Sequence, residues 1–146
     1  MIRSILSFAL LLMTSCAPFI ATAPSGFASF DKGQGFRAAS SDGILYRVRS
    51  ADNDPKAQID FWREALRKRM DDAGYTVLSD ATIEAGSKEG YLLKLAAPVG
   101  TVDYFFWVAV FVHGDDLVIA ETTGPANLLN KHDKALAKAI ASLQFK

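Results

Sequence analysis

One cysteine, two histidines and a scatter of carboxylates are the side chains of this chain that admit specific chemistry. The cysteine has the strongest context. Met13-Thr14-Ser15-Cys16 follows a short apolar run, Ile5 to Met13, and a single cation, Arg3. Small residues leading into a cysteine behind a greasy segment resemble the lipobox of a bacterial export signal, whose sulfur is acylated and whose cysteine becomes the new N-terminus. The histidines promise less. His113 stands beside Asp115 and Asp116, but a metal site needs three or four converging ligands, and His-Gly-Asp-Asp is first of all a turn. His132 falls among leucines at helical spacing and reads as a packed or edge histidine. A Ser–His–Asp set from Ser41, His113 and Asp42 would have to be assembled by the fold, and no Gly-x-Ser-x-Gly elbow accompanies the serines. Gly33-Gln34-Gly35 and Gly86-Ser87-Lys88-Glu89-Gly90 are short turns without the strand–loop–helix context of a phosphate cradle.

Two further residues are candidates for ligand or partner contact. Glu121 shares a strand face with Leu117 and Ile119, where desolvation would raise its pKa and suit it to an acid or ligand role. The alternative is a strand that leaves the core before reaching it. A glycosidase needs a second facing carboxylate, and none can be nominated. Trp107, with Phe105 and Phe111, would line a pocket against a helix if the strand were not simply core. No catalytic set, metal or cofactor is expected from these residues.

Composition bounds the rest. Cutting before Cys16 leaves one domain's length of chain, with half of the 146 residues apolar and a core accordingly within reach. Removing residues 1–15 takes away only Arg3, leaving fifteen basic residues against sixteen acidic. Such a balance does not neutralise phosphates, so nucleic acid is not the expected partner. A lone cysteine makes no internal disulfide, and once acylated it offers no thiol. The apolar run reaches about 13 Å as a helix against a hydrocarbon core of about 30 Å, which is short for a membrane span. Ala21-Thr22-Ala23 looks like an ordinary secretory cleavage site, but Pro24 would follow the cut. Ala17 after the cysteine favours transfer to the outer membrane by analogy with sorting in enteric bacteria.

The elements that must position these residues follow from periodicity. Residues 16–30 read as the lipidated N-terminus and an extended, proline-interrupted tether. Phe27 and Phe30 would dock on the domain as an edge segment or help hold a partner. The domain, residues 31–146, opens with a hairpin: Phe36–Ser40 and Ile44–Arg49 flank Ser41-Asp42-Gly43. Ile44, Tyr46 and Val48 share one strand face, Arg47 and Arg49 the other. A helix follows from an Asp54 cap and Pro55 to a stop at Gly74. Its apolar stripe is Ile59, Trp62, Leu66 and Met70, broadened by Phe61, Ala65 and Ala73. The cations Arg63, Arg67, Lys68 and Arg69 are interleaved with acids, with Glu64 and Lys68 spaced for an i,i+4 pair. They read as a solvated face, with anionic head groups as the alternative partner.

Four strands complete the sheet: Tyr75 to about Ala85, Tyr91–Ala97, Val102–His113 and Leu117–Thr123. The third is apolar on both sides, Tyr104, Phe106, Val108 and Val110 against Phe105, Trp107, Ala109 and Phe111, which requires cover on both sides. A last helix runs from about Ala126 or Asn130 to Leu143. The fold class is therefore α+β: hairpin, helix, four-stranded antiparallel meander, helix, in a three-layer sandwich with helices on both faces.

That order, behind a lipobox, resembles the PsbP-like fold, which includes small bacterial envelope lipoproteins of the DcrB type. The features that carry it are Ser40-Ser41-Asp42-Gly43, the helix Pro55 to Ala73 with Phe61-Trp62, Gly74-Tyr75 entering the meander, and the terminal Ala141-Ser142-Leu143-Gln144-Phe145. The resemblance spans roughly residues 27–146, in topology rather than in any functional motif. It implies a noncatalytic binding or assembly factor on the periplasmic face of the envelope, with a membrane contact through its lipid and an envelope protein as partner. A small-molecule or lipid carrier is the alternative expectation, and hydrolysis by His113 or Glu121 the third.

Overall fold

In the computed structural model residues 16–30 and 35–146 are described. The export signal read at 1–15 and the Gly33-Gln34 part of a glycine turn lie outside them. Alternation of small and apolar residues in Phe36–Ser40 (β3) and Leu45–Asp52 (β4) makes the predicted hairpin, turning at Gly43 with φ +106°. The meander is β5 (Thr76–Ala85), β6 (Lys88–Val99), β7 (Val102–His113) and β8 (Asp116–Pro125), all antiparallel. Periodicity alone does not show how hairpin and meander join. They join through β4 against β8, with Leu45 opposite Thr123 and Asp52 opposite Asp116.

The segment read as a tether contributes two strands. Phe27–Ser29 (β2) pairs with β3, completing a seven-stranded sheet in the order β2-β3-β4-β8-β7-β6-β5. Phe19–Ile20 (β1) pairs with Gln144–Phe145 (β9) as a separate two-stranded sheet. Phe19 is buried in the core and Phe27 packs against it. The folded unit therefore takes in residues from Phe19 onward, rather than beginning at 31, because these aromatics gain more by burial than an extended spacer offers.

The first helix, α1 (Ile59–Asp72), begins five residues after the predicted cap. Asn53 is the reason. Its Oδ1 accepts the Ala57 and Trp62 N–H groups, and its Nδ2 donates to the Ala57 and Gly114 carbonyls. Residues 54–58 loop around this buried amide instead of continuing the helix. Gly74 ends α1 as expected. With φ +87°, its N–H donates to the Asp71 carbonyl and that of Tyr75 to Met70, the paired bonds of a Schellman stop. Phe61 does not broaden the apolar stripe; it is 46% exposed and lies edge-on to Trp62.

A short 3₁₀ turn, Ala126–Leu128, leads into α2 (Leu129–Ala141), which buries His132, Leu136, Ala139 and Ile140. Two cores result. On the α2 face Tyr46, Val48, Phe105, Trp107, Phe111 and Leu136 pack together. On the α1 face Leu93, Leu95, Val108, Val110 and Ile119 are covered by Trp62, Leu66 and Met70. The three-layer α+β sandwich predicted from the doubly apolar strand is the fold observed.

Candidate functional site

The two helices cover their faces unequally. No residue of α1 is fully buried, whereas α2 buries four. Asp80 on β5 accounts for where α1 sits. Its carboxylate accepts Arg67 Nη1 at 2.7 Å, Arg63 Nη2 at 3.4 Å and the Tyr91 hydroxyl at 3.0 Å. The Arg63 guanidinium also stands 5.1 Å from the Tyr91 ring centre. Tyr91's hydroxyl, first, and then Arg67 hold Asp80 below the usual carboxylate range. Two of the cations read as a solvated face thus moor the helix over the β5–β7 side, and Lys68 pairs with Asp72 rather than Glu64.

The Glu121–Thr123 part of β8, with the Leu45–Arg49 part of β4 and with β3, stays uncovered on the same face. Along the α1 flank runs a groove of about 360 Å³, with Val108, Val110 and Ile119 as floor and Trp62, Leu66 and Met70 as wall. A second, of about 380 Å³, continues beside Phe30, Leu45, Phe106 and Thr123. Glu121 borders both. The expected lone acid among apolar neighbours is not what the fold makes. Arg49 Nε and Nη2 each donate to one Glu121 oxygen at 3.2 Å, a bidentate pair at the groove's open side.

Three guanidiniums share this flank. Arg47 stands opposite both Arg37 on β3 and Glu121 on β8, and Arg49 follows one pleat later. Like charges facing across a strand pair repel. Among the described residues neither Arg37 nor Arg47 has a salt-bridge partner, and the buried Arg37 Nε has no acceptor. Leu45, 49% exposed, and the half-exposed Phe30 add apolar surface beside them. Planar, always-charged forks next to an apolar floor suit an anionic ligand with an apolar body. Arg47 and Arg49 were legible as the outward side of an alternating strand; Arg37 was visible only as the one cation in Phe36–Ser40.

The other candidates lie elsewhere. His113 pairs with Asp116 at one end of the sheet, and the Asp42 turn lies beyond Leu45 at the other. The eight residues Leu45–Asp52 alone span about 23 Å. Ser41, His113 and Asp42 therefore cannot form a triad. Asp42 instead accepts His132 Nε2 at 2.9 Å, the Ser40 hydroxyl at 2.6 Å and Lys131 Nζ at 3.0 Å, and these hold its pKa far below the usual value. Ser40 spends its hydroxyl on that carboxylate and accepts the Ile44 N–H, so it has no base. The cluster latches the hairpin to α2, with Phe27 edge-on to His132 at 5.4 Å.

His113 bonds the Lys146 carbonyl. Trp107 is buried on the α2 face with the Lys94 ammonium 4.1 Å from its ring centre, and it borders neither groove. Cys16 is exposed, 3.4 Å from Lys146 Nζ. Among the described residues no three His, Cys, Asp or Glu gather as metal ligands, and no helix is long and apolar enough to cross a membrane.

No protein-family model matches the chain, and no curated protein does. Solved structures do match. LpqN, involved in cell envelope biogenesis of Mycobacterium tuberculosis, superposes with a TM-score of 0.64 at 10% identity, over 88% of this chain and 83% of that one. A Pseudomonas aeruginosa protein of unknown function gives 0.63 at 10% identity, over 82% and 97%. Cyanobacterial PsbP from Synechocystis gives 0.60 at 10% identity, over 92% and 96%. The chain thus shares its fold with PsbP and LpqN, and at these identities the likeness is one of fold.

Proposed function

We propose that this protein is a noncatalytic accessory module of the bacterial cell envelope, in the manner of the DcrB-type lipoproteins. An acylated Cys16 holds it to the membrane, the outer membrane by its Ala17, with the domain on the periplasmic face. The observation that carries the binding role is the uncovered flank of the α1 face. Among the described residues that line the outer groove, Arg37 and Arg47 meet a single acid, Glu121, which Arg49 already pairs, beside exposed apolar side chains. Its occupant on grounds of charge is an acidic, partly apolar segment of another envelope protein, seated by bidentate guanidinium–carboxylate bonds. The shared fold with an envelope-biogenesis protein supports the setting.

A photo-crosslinking residue in place of Leu45, in the acylated protein in its own membranes, tests this. One discrete adduct is expected, absent with the crosslinker at Lys138 on the opposite face and lost on Arg47→Glu. No adduct at Leu45, or an equal one at Lys138, would overturn the assignment.

The groove beside α1 favours a second reading, a small amphiphilic anion held between Arg49 and the Val108–Ile119 floor. It moves the expected ligand pocket from Trp107 to the other face of the sheet. Native mass spectrometry of the purified protein and quenching of Trp62 emission check it, with a co-purifying lipid or organic acid as the expected result.

A further inference from the structure

Only Ala17 and Pro18 separate Cys16 from Phe19, and Phe19 is 6% exposed. The chain is already held at that point. Phe19 is in register with Phe145, and the Lys146 N–H donates to the Pro18 carbonyl at 3.0 Å. Three residue steps, each advancing the chain by at most about 3.6 Å, leave Cys16 within about 11 Å of Phe19. An extended spacer over residues 17–30 would have reached about 43 Å. The polar layer on each side of a bilayer is about 5–8 Å deep. A sulfur acylated at Cys16 therefore holds the β1–β9 end of the fold at the head-group surface.

The side chains there suit that place. Ile20 is 48% exposed beside the buried Phe19. Lys146 Nζ lies against Cys16, and the Lys88 ammonium stands 5.3 Å from the Phe145 ring centre. Asp115, Asp116, Glu84 and Glu89 lie at the same end of the sheet, and of these Asp115 is already paired with Lys56 at 2.7 Å. We propose that the β1–β9 end is a lipid-docking surface: Ile20 enters the interface and Lys88 and Lys146 meet anionic head groups, so the domain stands in one orientation on the bilayer instead of swinging on a tether. The arginine flank then serves a partner segment lying close to the same membrane.

The inference rests on the acylation proposed above, and intact mass reads that separately. In the acylated chain an introduced cysteine is the sole free thiol, so Ile20→Cys and Ser41→Cys can each carry an environment-sensitive fluorophore. The two positions lie at opposite ends of the fold. In phosphatidylcholine vesicles containing phosphatidylglycerol, spin-labelled lipid should quench the probe at 20 and leave that at 41 unaffected. Lys88→Glu with Lys146→Glu should weaken quenching in the anionic vesicles, by about two-fold or more, and leave it unchanged in phosphatidylcholine alone. A flexible insert of about twelve Gly/Ser residues after Ala17 should reduce it in both. Equal quenching at 20 and 41 on a chain of acylated mass would overturn the docking and leave the anchor standing. A chain of unmodified mass would overturn both.

Discussion

The two faces of one sheet have been finished differently. On the α2 face Leu136, Ile140, Phe111 and Trp107 close around one another, and the Asp42–His132 latch locks the hairpin to the helix. On the α1 face the helix is moored at one side by Asp80 and leaves the other to arginines and a groove. Both faces are apolar in the central strands, so hydrophobicity does not separate them. What separates them is where the anchoring polar contacts sit. His132 lies within the helix that covers its face, whereas Arg63 and Arg67 pull α1 towards the β5 edge. The cover is complete on one face, and an open flank is left on the other.

Replacing one large side chain on each face is the most direct way to break that comparison. Phe111→Ala, fully buried on the α2 face, should cost about 3–5 kcal/mol. Leu66→Ala, half-buried in α1, should cost about 1–2 kcal/mol. Urea denaturation of both variants gives the two values, and equal losses would mean that the faces carry stability alike. Gly90 sharpens the point from the other strand. A Cβ there would overlap the Phe111 ring and lie 2.9 Å from the Val110 carbonyl oxygen. Gly90→Ala should therefore destabilise by about 1–3 kcal/mol, read from the same denaturation midpoints.

The latch can be tested by pH. Because the folded-state pKa of Asp42 is depressed, its contribution is fully present above the unfolded value of about 3.9 and is lost as pH falls below it. Wild-type Tm should fall steeply below about pH 4, and Asp42→Asn should flatten that fall while lowering Tm at neutral pH. Asp80 and Asp115 are depressed as well, by Tyr91 and Lys56 respectively, so part of the acid sensitivity should persist. The smallest expected change is at the open flank. Arg47→Glu should move stability by less than about 0.5 kcal/mol, since Arg47 is exposed and makes no ion pair among the described residues. A large loss of Tm in that variant would show the flank to be part of the fold's support.

Much of the architecture was legible because strand alternation is a local property. Tyr46 and Val48 against Arg47 and Arg49, and the two apolar faces of Val102–His113, needed only a period of two. Gly74 was readable as a stop because a left-handed residue after a helix is a local demand. The N-terminal start of α1 was not readable. Asp54-Pro55 has the right residue types, but Asn53 draws residues 54–58 around its amide with help from Gly114, sixty-one residues away. Gly90 looked like the end of a turn and is a seat for the Phe111 ring. Phe19 looked like part of a spacer, since nothing nearby in the chain announces that the C-terminal Gln144–Phe145 will pair with it.

The candidate site divided in the same way. Glu121 was found from its strand face, yet its ion pair with Arg49 required β4 to lie against β8. From sequence, Asp42 is considered with Ser41 and His113, and His132 reads as a packed or edge histidine, because ninety residues separate the two. Trp107 was placed on the correct face of its strand, but only the packing of α2 decided that this face is closed.

Residue order alone determined the spacing of helices and strands and which side of each strand is apolar, because both depend on neighbours a few positions apart. Tertiary structure decided which face remains open, which charges meet, and how short the link from Cys16 to the fold is. Those outcomes depend on contacts closed over tens of residues, whose loop entropy is recovered only when the whole sheet assembles.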